Sequence, residues 1–233
     1  MIGEPVISRT LTRLAGGTIA VAAARARASK GSSTGALAAV MDGRYITEAR
    51  TAAVSAVSVK HLARPDARVL AIIGTGVQAR SHLEAIRHVR ALTDVRVWSP
   101  NALHRDRFAA EMREATGLPV RSVAAAPAAM DGADLIVLAT VSRTPVIADA
   151  DVAPGTHIAA VGACRPDQRE MPTPLVARAR VFVDSRAAAR LEAGERIDGR
   201  RLQNIRGLEV GHRQTLADLG QDRRPERCRR IER

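Results

Sequence analysis

The sequence predicts an α/β fold in which helices cover both faces of a parallel sheet. Short apolar segments alternate with amphipathic ones along most of the chain, and this order implies right-handed crossovers between parallel strands. One apolar segment ends in a glycine-containing turn that opens a helix. The apolar residues are mainly Ala, Val, Ile and Leu, with aromatic residues at only 2%. Such a composition suits helices packed on a doubly wound parallel sheet.

The glycine-containing turn follows the apolar segment 68–73. Two glycines and a later alanine stand in the spacing G-x-G-x-x-A. The first glycine permits the tight turn, the second lets a pyrophosphate approach the backbone, and Ala79 lets the helix pack closely on the strand. The pyrophosphate would lie at the positive end of the new helix. We therefore predict a dinucleotide site, with cofactor contacts from Gly74, Thr75, Gly76, Val77 and Gln78.

The other elements are predicted in chain order from hydrophobic periodicity and from helix start and stop signals. A helix is expected over 47–62, with Thr47 as its N-cap and Arg50 in its first turn. After the glycine turn we expect helix 77–91, strand 94–98, helix 102–116, strand 120–123, a short helix near 125–131, strand 134–139, strand 156–161, helix 173–179, strand 180–183 and a helix from Ala187. Residues before 40 show no period and are expected to be irregular. The tail 196–233 is expected to be poorly ordered.

The carboxyl ends of the later strands supply the remaining candidate residues, because ligands of such sheets bind there. Strand 94–98 is followed by Ser-Pro-Asn, without the carboxylate that would accept hydrogen bonds from an NAD ribose. Arg105 or Arg107 would then bind a 2′-phosphate, so NADP is favoured and NAD stays possible. The alternative is that both are solvated helix residues. Predicted cofactor contacts in these loops are Ser99, Asn101, Arg105, Thr140, Val161 and Ala163.

The charge and cysteine content bear on partners and location. A net charge of +12 first suggests a nucleic-acid partner. However, nearly all the positively charged residues are arginines, and few aromatic residues are present to stack on bases. We therefore expect no nucleic-acid partner, with association through the tail as the weaker alternative. Cys164 and Cys228 form no disulfide framework, which fits a cytoplasmic location. No segment is apolar enough to span a membrane, and no metal site is predicted.

A series of motifs between about 40 and 195 resembles the ornithine cyclodeaminase/mu-crystallin family. The order and spacing of the motifs agree, as well as the glycine turn itself. The matching segments are Met41-Asp42-Gly43, Arg50-Thr51-Ala52-Ala53, Ile73-Gly74-Thr75-Gly76-Val77-Gln78-Ala79, Val95-Arg96-Val97-Trp98, Ala133-Asp134-Leu135-Ile136-Val137, Pro154-Gly155-Thr156-His157-Ile158, Val161-Gly162-Ala163-Cys164-Arg165-Pro166-Asp167, Arg169-Glu170-Met171 and Val183-Asp184-Ser185.

The resemblance implies a Rossmann domain, a second domain that binds substrate, and a homodimer. It also implies NAD(P)-dependent chemistry at a C=N bond next to a carboxylate, on a small imino or amino acid. Arg50 matches the family arginine that binds the substrate carboxylate, and a guanidinium fork is suited to that role. Without the resemblance, a surface helix arginine would be the simpler interpretation.

Cys164 separates the activities that occur in the family. In the cyclodeaminases its position is an aspartate that acts as acid and base on the amine, and a neutral thiol is a poor base. The ketimine-reductase-like members also lack that aspartate and share the pattern that follows it. Reduction of a protonated imine is therefore expected, with ornithine cyclodeamination or alanine dehydrogenation as alternatives. A buried, structural Cys164 is a further alternative.

The two ends of the chain depart from the family pattern. The family has a longer N-terminal half, and the pattern is lost after 195. We expect residues 1–63 to be a remnant of the substrate and dimerisation domain, 64–195 to be the dinucleotide-binding domain, and 196–233 to be atypical. The second domain would then be incomplete, and a truncated dinucleotide-binding protein without catalysis is an alternative to an active enzyme.

Overall fold

The computed structural model describes residues 6–9, for which only the backbone is considered, and 43–183. Seven strands and five α-helices are present in these ranges. The strands are β1 (Val6–Arg9), β2 (Val69–Ile73), β3 (Asp94–Trp98), β4 (Val120–Ser122), β5 (Leu135–Leu138), β6 (His157–Ala160) and β7 (Arg180–Val183). The helices are α1 (Gly43–Leu62), α2 (Val77–Ile86), α3 (Ala102–Thr116), α4 (Ala126–Met130) and α5 (Thr173–Arg178), with a 3₁₀ turn at Asp149–Asp151.

The strands form one parallel sheet in the order β4-β3-β2-β5-β6-β1-β7. The chain leaves β2 towards β3 and β4 and then returns to the other side of β2 with β5. The sheet is therefore doubly wound, as the sequence predicts, and its strand order reverses between β2 and β5. Ligands of open parallel sheets bind beyond the carboxyl ends of the strands at such a reversal.

Two apolar clusters cover the two faces of the sheet. Leu70 and Ile72 of β2 join the cluster that contains residues of α1, α2 and α3, whereas Ala71 and Ile73 join the cluster that contains α4 and α5. Alternate residues of a strand point to opposite faces, so β2 supplies both clusters in turn. This burial on both sides explains why β2 reads as a continuous apolar run.

Most element boundaries agree with the sequence expectations within one or two residues, and three differ. Helix α2 ends at Ile86, not at 91, and is followed by turns. Helix α1 already includes Gly43, four residues before Thr47, so the expected N-cap role of Thr47 is wrong. The Thr47 hydroxyl instead donates a hydrogen bond to the Gly43 carbonyl oxygen one turn back, at 2.8 Å. Arg50 consequently lies about two turns into the helix and not in its first turn.

The third difference concerns the N-terminal segment, which was expected to be irregular before 40. Residues 6–9 form β1, which pairs in parallel with both β6 and β7. Strand β1 contains only two apolar residues and lies before the alternation of strands and helices begins, so pattern reasoning missed it. The helix expected from Ala187, the tail 196–233 and the rest of the region before Gly43 lie outside the described residues.

Candidate dinucleotide site at the carboxyl edge of the sheet

The two glycines of the turn after β2 serve different purposes. Gly74 has φ 115°, and a Cβ atom there would lie 2.5 Å from the Ala139 carbonyl oxygen on the neighbouring strand end. Only glycine fits this conformation and this close approach. Gly76 has extended backbone, φ −80° and ψ −174°, and a Cβ atom there would meet nothing within 4 Å. Gly76 thus borders open space, where a ligand can reach the backbone.

Helix α2 begins directly beyond this open space. Gly76 is its N-cap and provides no side chain to accept a hydrogen bond from the first N–H groups of the helix. Val77 is 41% exposed at the same end, whereas Ala79 is fully buried against the strand. An uncapped helix N-terminus with its partial positive charge suits a pyrophosphate. Thr75 and Gln78, partly exposed, complete the turn.

An arginine side chain, and no carboxylate, lies at the carboxyl end of β3. Arg105 reaches back from α3, and its guanidinium donates to the Ser99 carbonyl oxygen at 3.2 Å. Arg107 instead forms an ion pair with Glu111 on the exposed side of α3, at 2.6 Å. Asn101 caps α3 by accepting a hydrogen bond from the backbone N–H of His104 at 3.1 Å. Of the two candidate arginines, Arg105 is therefore the one held at the strand end.

The loops after β5 and β6 meet around a buried carboxylate that the sequence reasoning did not select. Thr140 and Ala163, both predicted contacts, donate their backbone N–H groups to Glu170, at 2.6 and 3.1 Å. The Val161 N–H donates to the Leu138 carbonyl oxygen at 3.0 Å and so continues the sheet. Glu170 is part of a quoted motif, but no spacing rule distinguishes a carboxylate that binds backbone from one that is solvated.

The neighbouring strand ends therefore bring eleven predicted cofactor residues to one edge. Since β3, β2, β5 and β6 are adjacent and parallel, their carboxyl ends lie side by side. The residues are Gly74, Thr75, Gly76, Val77, Gln78, Ser99, Asn101, Arg105, Thr140, Val161 and Ala163.

Two further candidates, Cys164 and Arg50, have different surroundings. Cys164 follows β6 but is exposed, with its thiol 3.6 Å from the Gln168 side-chain oxygen, so the alternative of a buried structural cysteine is wrong. Arg50 lies on the exposed side of α1. Within 6–9 and 43–183, its guanidinium forms no ion pair and no hydrogen bond. The expected support from a helix N-terminus is absent, because Arg50 is two turns into the helix.

Helix α1 is fixed to α2 and β6 by two serine–histidine contacts, one buried and one partly buried. The His82 Nδ1 atom lies 2.6 Å from the Gln78 carbonyl oxygen, which requires a proton on Nδ1, so Nε2 accepts a hydrogen bond from the Ser55 hydroxyl at 2.9 Å. His157 Nε2 lies 2.8 Å from the Ser58 hydroxyl. Burial lowers the pKa of each histidine to about 4, so both are neutral near pH 7.

A separate groove of about 480 Å³ lies among the helices. Its walls come from α1, α2 and α3 and the turn after α2, and include Tyr45, Arg80 and Met112. None of the strand-end residues lines it, so it is not the dinucleotide site. Nowhere in the described ranges do three or more metal-ligating side chains cluster, and no helix there is long and apolar enough to cross a membrane.

The strand order and this edge define a Rossmann-like dinucleotide-binding fold. The family model of the ornithine cyclodeaminase/mu-crystallin family matches residues 28–220, and the chain belongs to this family. Ketimine reductase mu-crystallin of Rattus norvegicus is 42% identical over 163 residues, which is 70% of this chain and 51% of the relative. Delta(1)-pyrroline-2-carboxylate reductase of Bacillus cereus is 40% identical over 163 residues, covering 70% and 50%.

Solved structures agree with these relatives. The Thermococcus litoralis Delta(1)-pyrroline-2-carboxylate reductase, in complex with NADH and L-proline, has a TM-score of 0.67 and 38% identity, covering 70% of this chain and 50% of that one. An archaeal alanine dehydrogenase dimer with bound NAD has a TM-score of 0.66 and 32% identity, covering 76% and 53%. The chain spans about half the length of the curated relatives it matches.

Proposed function

We propose that the protein is an NAD(P)-dependent oxidoreductase that reduces the C=N bond of a ketimine or cyclic imino acid. The observation that carries this proposal is the similarity, at 38–42% identity, to proteins named as imine reductases, over the part that contains the strand-end edge. When bound, the dinucleotide supplies the hydride for the imine carbon. The imine is reduced to an amine, and its nitrogen keeps the proton of the iminium form.

The residues present fit a dinucleotide at this edge. The space beside Gly76 admits a pyrophosphate to the backbone, and the α2 N-terminus offers it N–H donors. The adenosine half would extend towards Ser99 and Arg105 at the end of β3, since the residue at that position contacts the ribose in such folds. The nicotinamide half would extend over the ends of β5 and β6, on the other side of the reversal in strand order.

A preference for NADP over NAD is part of the proposal. The strand end lacks a carboxylate that would repel a 2′-phosphate, and it holds the Arg105 guanidinium. We expect Arg105→Gln to weaken NADPH binding about tenfold, because a charge-assisted hydrogen bond is lost, and to change NADH binding less than about twofold. Isothermal titration calorimetry measures both, with Arg107→Gln as the matched control on the same helix. Equal loss of both cofactors would contradict the preference.

On the substrate side, we propose that Arg50 binds the carboxylate of the imino acid. This assignment follows the family motif around Arg50. The guanidinium is exposed and has no hydrogen-bond or ion-pair partner among the described residues, so it can bind a ligand. A guanidinium binds a carboxylate through two parallel hydrogen bonds, and lysine cannot reproduce that geometry. Arg50→Lys should therefore raise KM for the imino acid strongly while leaving the affinity for the dinucleotide unchanged.

Imine reduction is favoured over ornithine cyclodeamination by Cys164. Its thiol donates to the Gln168 side-chain oxygen, and a neutral thiol is a poor base, whereas reduction of a protonated imine requires no strong base. The test measures NAD(P)H oxidation with a cyclic imino acid beside NAD-dependent proline formation from ornithine. Proline formation without imine reduction would contradict the proposal.

Two further proposals concern assembly and activity. We propose a homodimer, because an alanine dehydrogenase of similar structure is a dimer, and light scattering after size-exclusion chromatography tests it.

The second candidate function is dinucleotide binding without catalysis, which the half-length match to the relatives favours. A rise in Tm with dinucleotide, but no turnover of imino acid, would select this second candidate.

A further inference from the structure

A buried carboxylate joins the two loops that follow β5 and β6. Glu170 is fully buried. One of its carboxylate oxygens accepts the backbone N–H of Thr140 at 2.6 Å, and the other accepts those of Gly162 and Ala163, at 2.9 and 3.1 Å. One side chain thus fixes one residue of the first loop and two residues of the second.

Additional contacts lock the same two loops together. Val146 donates its N–H to the Glu170 carbonyl oxygen at 2.9 Å, and Arg169 donates its N–H to the Ser142 carbonyl oxygen at 2.8 Å. At the surface, Arg143 pairs with Asp167 at 3.2 Å. These two loops therefore form one unit.

Gly162, in the loop after β6, lies against both the other loop and the carboxylate. A Cβ atom at Gly162 would collide with the backbone of Thr140 and with the Glu170 carboxylate. Glycine at this position is therefore required for the close approach of the two loops, although its φ is not in the left-handed region.

The carboxylate is charged at the pH of a binding measurement. Burial raises the pKa of Glu170 to about 6, while the hydrogen bonds from Thr140, Ala163 and Gly162 oppose that rise. Most of the Glu170 population is ionised at pH 8. A buried charge interacts more strongly with its neighbours than a solvated one, because less water screens it.

This charge lies on the nicotinamide side of the edge. The adenosine half of a dinucleotide would extend towards β3, so the ring would lie over the ends of β5 and β6, where Thr140 and Ala163 are held. The oxidised nicotinamide ring carries a positive charge, and the reduced ring carries none. A fixed negative charge in this part of the site favours the oxidised ring.

We propose that Glu170 is the positioning residue of the nicotinamide subsite, where it fixes both loops around the ring and stabilises the oxidised cofactor relative to the reduced one. This inference rests on the proposed dinucleotide site. It goes beyond that site by assigning a role in the balance between the two forms of the cofactor.

The experiment measures binding of NADP⁺, NADPH and ADP to the full chain at pH 8 by calorimetry. ADP lacks nicotinamide, so it reports on the β2 and β3 side alone. In Glu170→Gln we expect NADP⁺ affinity to fall about fivefold more than NADPH affinity, with ADP within about twofold of wild type. Asp167→Asn is the matched control, a carboxylate-to-amide change on the same loop, and should leave the NADP⁺/NADPH ratio unchanged.

Glu170→Asp keeps the charge but shortens its reach by one methylene. Both NADP⁺ and NADPH should then weaken, with their ratio near the wild-type value and ADP unaffected. If Glu170→Gln no longer binds ADP, Glu170→Asp still tests whether the carboxylate positions the two loops. Wild-type affinity for both forms in Glu170→Asp, or a wild-type ratio in a Glu170→Gln that still binds ADP, would overturn the inference alone. Absence of ADP and dinucleotide binding in the wild type would overturn the proposed function.

Discussion

The two sides of the ligand-binding edge are constructed in opposite ways. After β2, the turn at Gly74–Gln78 depends on missing side chains: one glycine fits against Ala139, and the other leaves space. After β5 and β6, the loops depend on one added side chain, the Glu170 carboxylate, which accepts three backbone N–H groups. The first construction leaves a signature of glycines in the sequence. The second leaves an ordinary acidic residue and a single glycine, Gly162, which belongs to no recognised spacing.

The largest effect is expected on the glycine side, for Gly74→Ala. The substitution combines a φ of 115°, which L-residues rarely adopt, with a Cβ atom 2.5 Å from a backbone oxygen. We expect a loss of about 3 kcal/mol or more in the free energy of unfolding, measured by urea denaturation. The control is Gly117→Ala, with φ 70° and nothing within 4 Å, which should lose only about 1 kcal/mol. Equal losses would show that contact with Ala139 is irrelevant.

The next largest effect is a loss of stability in acid, caused by protonation of His82 in α2, the helix that follows the glycine turn. Burial lowers the pKa of His82 from 6.5 to about 4, so the folded state binds fewer protons than the unfolded chain between these values. Stability is then fully present above pH 6.5 and declines as the pH falls towards 4, by about 3 kcal/mol from this group. Urea denaturation across this range measures the slope.

His82→Gln should reduce that slope, since the titrating group is gone. His157, whose pKa is also lowered to about 4, keeps part of it. His88→Gln, the same substitution at an exposed histidine beyond α2, supplies the control. A slope that persists in full in His82→Gln would assign the effect to other groups.

A smaller change in stability is expected on the carboxylate side, for Glu170→Gln. The amide places an N–H donor where the carboxylate has an acceptor, so at least one of three backbone N–H groups loses its partner. We expect a loss of about 2 kcal/mol at pH 8, measured by urea denaturation. The surface residue Glu111, changed to Gln, should alter stability less than Glu170→Gln does, even though it pairs with Arg80 and Arg107.

The smallest effect on stability is expected for Gly76→Ala, in the same motif as Gly74. The backbone there is ordinary and its surroundings are open, so the free energy of unfolding should change by less than about 0.5 kcal/mol. Dinucleotide affinity should nevertheless fall at least about tenfold, because the new methyl group fills space that the pyrophosphate needs. Calorimetry with NADPH checks this, and unchanged affinity would place the pyrophosphate elsewhere.

The comparison also explains what sequence reasoning could reach. The doubly wound sheet and the edge around Gly74 follow from apolar periodicity and glycine spacing, which are local signals. Strand β1 was missed because only two of its four residues are apolar, and its pairing with β6 and β7 is a long-range contact. Glu170 was missed as a site residue because its partners are backbone groups, which are the same at every position. The start of α1 was placed too late because Thr47 resembles an N-cap, although its hydroxyl bonds back to Gly43.

The attachment of α1 has a practical consequence for anyone who recombines this fold with another. Arg90, beyond α2, donates to carbonyl oxygens at the end of α1, including those of Val59 and Ala63, at 2.8 and 3.0 Å. A chimera joined at residue 64 would remove these two carbonyl oxygens from the Arg90 guanidinium. It would also remove the serine partners of His82 and His157. Grafts of the dinucleotide-binding unit should therefore carry α1 with them, with the junction placed before Gly43.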